Sequence, residues 1–142
     1  MIAIKKLLSP KAVWHTQPPA KPNAIKKLKQ KANIELPAEY IALLQFSNGG
    51  EGELRIDPGW FQIWPAENVI EFNLGYEVHI HIPSFFSFGT NGGGELLAFD
   101  TRGNEPWKIV MIPLLPMDTK LAIPICFDFK SFVKNIGLEY ED

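Results

Sequence analysis

The sequence holds a single cysteine, Cys126, in 142 residues. No intramolecular disulfide can form, so a secreted scaffold stapled by cystines is excluded. Set between Ile125 and Phe127, the thiol reads as a small buried side chain, and no local signature supplies a base to make it a nucleophile. Long apolar runs are missing too. No stretch approaches the roughly 18 residues of a membrane span. The first residues, MIAIKKLLSPK, hold apolar runs shorter than the roughly 7–15 residues of a secretory signal, and lysines break them. The expected location is the cytoplasm.

Acid is absent from the first 33 residues, which carry eight lysines (5, 6, 11, 21, 26, 27, 29 and 31). Eleven acids then fall between Ile34 and Glu105, opposed only by Arg55 and Arg102. The net charge of −2 therefore conceals a strongly acidic centre. Such a field disfavours direct nucleic-acid binding and attracts basic partners, unless the basic arm folds back and neutralises it. The 46% hydrophobic and 21% charged fractions suit one folded domain with an ordinary core.

The chain is organised around Leu36 to Glu53, LPAEYIALLQFSNGGEGE. Pro37 suits the start of a helix, and Glu39 meets the positive end of its dipole. Tyr40, Leu43 and Leu44 make one apolar face, and Asn48-Gly49-Gly50 is a stop. Before it, residues 1–22 form a proline-rich arm with Trp14 as a hydrophobic peg, and a first helix runs from an Asn23 cap to Ala32. After it, Leu54 and Ile56 alternate with polar residues as a half-buried strand. Trp60 to Trp64 is an aromatic strand, and Pro65 to Tyr76 returns to helical spacing, with Leu74 and Gly75 as its stop.

In Glu77 to Ile82 the period of two puts Val78, Ile80 and Ile82 on one side of a short extended segment and Glu77, His79 and His81 on the other. Two histidines so placed are a weak zinc signal, and solvent-facing side chains are the reading adopted, with no metal expected. Phe85 to Gly89, Glu95 to Phe99 and Trp107 to Ile112 are further strands. The Thr90 to Gly94 loop is a hairpin turn and not a phosphate cradle, because no lysine and no helix follow it. Asp128 caps a last helix, and residues 138–142 form a short tail expected to fray. The sum is an α+β domain over residues 23–137: a mostly antiparallel sheet of about five strands with helices packed on one side.

Four segments, in order, give a resemblance. LPAEYIALLQFSNGG, then IWPAENVIEFN with FFSFGTNGGGELLAFD, then FDFKSFVKNIG resemble the SUKH superfamily, the Smi/Knr-like cell-wall regulators and bacterial immunity proteins, from about Ile25 to Gly137. The resemblance implies an α+β fold and a binding role: an immunity protein that neutralises a toxin, or a regulatory scaffold module. The residues that carry it (Leu36, Pro37, Tyr40, Asn48, Gly49, Gly50, Gly89 and Gly94) read as fold-makers. No nucleophile with a base, cofactor fingerprint or carboxylate pair argues for catalysis, so neither enzymatic activity nor a cofactor is expected. Exposed polar and aromatic residues in turns are the candidate contacts: Glu51, Glu53, Asp57, Trp60, Asn91 and Asp100. Their acidity suits a basic toxin domain, such as a nuclease.

Overall fold

Seven strands run in chain order through one antiparallel sheet in the computed structural model, which describes residues 2–141. They are β1 (His15–Thr16), β2 (Gly50–Glu53), β3 (Trp60–Ile63), β4 (Phe85–Thr90), β5 (Glu95–Asp100), β6 (Lys108–Pro113) and β7 (Ile123–Cys126). The helices are α1 (Ile4–Leu7), α2 (Pro22–Lys31), α3 (Ala38–Phe46), α4 (Ala66–Gly75), α5 (Val78–His81) and α6 (Phe129–Asn135). The α+β meander agrees with the sequence pattern, but there are seven strands and not about five. The two additional ones were hidden by composition. β1 is two residues within the proline-rich arm, and β7 carries Pro124, which an outer strand tolerates because it need not donate on both sides.

The sheet and helices meet in a cluster of rings. Tyr40 of α3 lies 5.4 Å from both Phe99 and Phe129 and 5.9 Å from Phe88, centroid to centroid. Phe88 and Phe99 are 4.9 Å apart, and Phe132 of α6 bridges Phe88 and Phe61. Most of these pairs are tilted or edge-on, the arrangement that ring quadrupoles favour. Phe129 and Phe132 come together because Asp128 starts α6, its carboxylate accepting from the Ser131 N–H at 2.8 Å.

Beyond Trp64, whose N–H still donates to the Phe88 carbonyl at 3.1 Å, the chain leaves β4, and α4 takes its place along the vacated edge. There the buried Asn73 side chain acts as a piece of strand. Its amide donates to the Ser87 carbonyl at 2.8 Å, and its oxygen accepts from the Ser87 N–H at 2.9 Å. Two backbone groups that burial would leave unpaired are thereby satisfied.

Several local expectations are corrected. The strand expected through Leu54 and Ile56 begins earlier, at Gly50, and Leu54 keeps only a single bridge to Ile136. Glu77 to Ile82 is a helical turn: Val78 and Ile82, four apart, are both buried, whereas Ile80 is 57% exposed. The i, i+4 spacing outweighed the period of two, and Glu77 opens the turn in the left-handed region at φ 58°. α2 opens on Lys21 and Pro22, not on an Asn23 cap. The tail docks as far as it is described. Glu141 pairs with Arg55 at 3.0 Å and donates its N–H to the Arg55 carbonyl, and the Tyr140 hydroxyl donates to Asp57.

The Tyr40 hydroxyl is fully buried among these rings with no hydrogen-bond partner, and burial drives its pKa far up. Removing an unsatisfied buried polar group relieves its desolvation cost, whereas removing the ring opens a cavity. Tyr40→Phe is expected to raise the stability by about 1 kcal/mol. Tyr40→Ala is expected to lower it by roughly 3–5 kcal/mol. Urea midpoints of the two variants test this, and a destabilised Tyr40→Phe would show that the hydroxyl has a partner in solution.

Candidate binding surface

β2 reads Gly-Glu-Gly-Glu, so its side chains alternate between bare glycine and carboxylate. Glu51 lies across from Gln62 and Glu53 across from Trp60, which places all four side chains on one face of the β2–β3 hairpin. The row is stitched together sideways. Gln62 donates to the Glu51 carboxylate at 2.9 Å, and the Thr90 hydroxyl donates to Gln62 at 3.3 Å and accepts from the Gly92 N–H at 3.1 Å. Trp60, 37% exposed, lies beside Gly92, where a Cβ would come within 3.2 Å of the indole.

The six candidate residues divide accordingly. Glu51, Glu53 and Trp60 share the hairpin face, and Asn91 adjoins them at the tip of the β4–β5 turn. Asn91 is committed to that turn, accepting from the N–H groups of Gly93 and Glu95 and donating to the Glu95 carboxylate. Asp57 lies in the β2–β3 loop and accepts from Tyr140, whose own N–H reaches Glu53 at 3.4 Å. Asp100 stands apart, at the other end of the six-residue β5, about 17 Å along the strand from the Asn91 turn. It accepts three hydrogen bonds from Arg102, two from the guanidinium at 2.9 and 3.0 Å and one from the backbone N–H at 3.0 Å, and the guanidinium covers the Phe85 ring at 4.8 Å. Burial raises the Asp100 pKa, but the hydrogen bonds and charge of Arg102 prevail and hold it below the usual carboxylate range.

At one end the row opens into a groove of about 530 Å³ lined by Gln17, Lys21, Asn48, Glu51, Gln62, Trp64 and Glu67 among others. Trp64 is itself 7% exposed and packs on Phe72 and Tyr76, so it forms no joint platform with Trp60. The Asn48 side chain accepts from the Ala66 N–H at 2.7 Å and donates to Glu67 at 2.8 Å. That hydrogen bond, then the Glu67 backbone N–H and the charge of Lys21, hold the Glu67 carboxyl below its ordinary value against a smaller burial effect. Gln62, Asn48 and Glu67 were missed by sequence reasoning. Gln62 was in principle accessible, two residues from Trp60 on a period-two strand. Nothing in sequence ties Asn48 to Glu67.

Other chemistry is less available. Burial, aided by the Asp128 charge, pushes the Cys126 thiol up to about 12. His79 and His81 sit on α5, where His81 faces Glu77 at 3.6 Å. Among the described residues no group of three or more His, Cys, Asp or Glu is placed to share a metal ion, and no helix is long and apolar enough to cross a membrane. The eight N-terminal lysines are exposed, and the ion pairs among the described residues (Arg55–Glu141, Glu77–His81 and Asp100–Arg102) involve no lysine.

Residues 19–135 match the SMI1 / KNR4 family (SUKH-1). The chain belongs to this family. The matched span includes α2 to α6, every strand but β1, and all six candidate contacts. SUKH-1 membership places the chain among domains of the immunity and regulator type, which act by protein–protein interaction in general. No curated protein matches the sequence.

Two outcomes are expected from this chemistry. Because the folded pKa of Glu67 is depressed, its contribution to stability is present above the ordinary carboxylate range and is lost as pH falls through the folded value. Glu67→Gln is therefore expected to be less stable than the parent near pH 7, with the difference closing as pH falls through the depressed folded value of Glu67, as read from urea midpoints across pH. The Cys126 thiol is expected to react with a thiol reagent at pH 8 about a hundred-fold more slowly in the folded than in the unfolded chain. Equal rates would show that the thiolate is accessible.

Proposed function

We propose that this SUKH-1 domain is a non-enzymatic, cytoplasmic immunity protein that binds and neutralises a basic toxin domain, and that the β2–β3 face meets the toxin. The observation that carries the reading is the sharing of one hairpin face by Glu51, Glu53 and the exposed Trp60. An aromatic anchor beside carboxylates suits a cationic partner, with the ring supplying contact area and the charge steering encounter. Asn91 and Asp57 extend this surface at its margins. Asp100 is the weakest of the six candidates, because Arg102 already neutralises it. The acid-rich centre supports the same partner chemistry, since among the described residues no lysine forms an ion pair with its carboxylates.

The test is a stoichiometric capture from the native source with the tagged domain, followed by association kinetics on the captured toxin domain. Glu51→Lys with Glu53→Lys is expected to leave the circular-dichroism spectrum unchanged and to slow association about ten- to hundred-fold at low salt. Trp60→Ala is expected to act mainly on dissociation. Charge-reversed protein that associates at the parent rate, or a complex indifferent to salt, would remove this face from the interface.

A further inference from the structure

We propose that the edge of β2 facing the N-terminal arm is a strand-docking site. The arm holds it closed. Its ligand is an extended protein segment with an aromatic residue against Gly52 and a cationic or hydrogen-bonding residue opposite Glu51.

The alternation that sends Glu51 and Glu53 to one face leaves Gly50 and Gly52 bare on the other. Trp14 occupies that space. A Cβ built on Gly52 would lie 2.7 Å from the Trp14 Cβ, and one on Gly50 would lie 2.8 Å from the indole Cζ3. The ring is walled by Phe61 at 5.7 Å and Phe46 at 6.4 Å. It is a seat for one aromatic side chain, floored by backbone. Next to it His15 pairs with Glu51 and Thr16 with Gly50. Period two therefore gives the docked strand a recognition pattern: an aromatic inward, a polar cation outward toward a carboxylate.

The arm's pairing with the edge is short, and beyond it the arm is anchored by the Asn48 N–H on the Pro18 carbonyl and the Ala20 N–H on the Leu44 carbonyl, both at 2.9 Å. Its pairing with β2 covers two residues, flanked by the Val13 N–H on the Gly137 carbonyl and the Gln17 N–H on the Ser47 hydroxyl. Of the neighbouring side chains, Val13 is 80% exposed and Ala12 is half-buried against Gly137. β4, β5 and β6 are by contrast paired along nearly their whole lengths. The family match supplies the second argument. The seat, from Phe46 to Phe61, lies inside residues 19–135, whereas Trp14, His15 and Thr16 lie outside them. Without the arm, the matched part of this chain would end at β2 with an unpaired edge and an open aromatic seat. Unpaired edges recruit strands. A foreign segment of matching pattern competes with the arm, and its apparent affinity is reduced by the fraction of time the arm is seated.

This deepens the protein-binding reading above and rests on it for the identity of the foreign strand, but the test needs no such partner. A fluorescent peptide of residues 9–18 is titrated onto the full chain and onto its Trp14→Ala variant. The variant is expected to bind the peptide at least about ten-fold more tightly than the parent, because its seat is vacant. The same peptide with its tryptophan replaced by alanine is expected to bind neither. Equal binding to parent and variant, or no binding to a folded variant, overturns the proposal. Because Trp14→Ala also removes packing, hydrogen exchange on the unaltered protein gives an independent test. Amides of residues 11–17 are expected to exchange about a hundred-fold faster than those of β4 to β6. Arm protection equal to that of the core overturns the proposal too, since the arm would then open only when the domain unfolds. Either failure leaves the charge-guided reading of Glu51 and Glu53 standing, and failure of that reading leaves the docking site untouched.

Discussion

The corner from Ser47 to Gly50 ties together four segments distant in sequence. The Ser47 hydroxyl donates to the Gly49 carbonyl at 2.6 Å and accepts from the Gln17 N–H at 2.8 Å. The Asn48 N–H donates to the Pro18 carbonyl at 2.9 Å, while its side chain caps α4 through Ala66 and Glu67. The end of α3, the start of β2, the arm and the start of α4 are thereby held at one point. Ser47 is fully buried, so each of its bonds is made where water does not compete. Two distant placements depend on this corner. Only with α4 started at Pro65 does Asn73 arrive opposite Ser87 to finish the edge of β4. Only with the arm held at Gln17 and Pro18 is Trp14 delivered to Gly50 and Gly52.

The same corner shows how polar side chains are used in this chain. Its polar side chains are mostly committed to holding backbone. Asn48 caps a helix, Asn73 completes a strand, Asn91 shapes a hairpin, and Asp128 starts α6. Cys126 is held in its protonated form by burial. Ionisable groups with room to meet a partner include Glu53 and the half-buried Glu51 on the β2–β3 face and the lysines of the arm and α2. Binding by charge and contact area needs no more than this.

The organising helix, the antiparallel meander and the aromatic core were legible in the sequence because each rests on local periodicity. Tyr40, Leu43 and Leu44 announce a helix face, and the alternating runs after Glu95 and Trp107 announce paired strands. Besides the two-residue β1, three things were not legible. β7 was disguised by Pro124, tolerated because the strand lies at the sheet's margin. α5 was disguised by a pattern that fits both periods, and the burial of Val78 and Ile82 decided between them. The grouping of the site residues depended on register. Glu51, Glu53 and Trp60 were chosen as separate turn residues, whereas pairing across β2 and β3 puts them on one face and leaves Asp100 at the far end of β5. Asn48 looked like a helix stop, and its larger role is to a helix that begins after Pro65.

The arm decides how the two opposite charge fields of this molecule are used. Had the eight N-terminal lysines folded onto the eleven central acids, ion pairs between them would have formed, and the acidic face would have been neutralised. The arm does return to the acidic strand, but it does so through backbone pairing and one indole, and the residue it sets against Glu51 is His15. The lysines stay exposed. Attachment by shape and not by charge leaves both fields intact on one small domain. On the proposed reading, a cationic partner would meet the carboxylates of the β2–β3 face with no lysine ion-paired to them among the described residues, and to pair with β2 it would displace a two-residue strand. The alternation Gly-Glu-Gly-Glu accomplishes this separation in four residues: the glycines accept the indole from one side while the glutamates face a partner from the other.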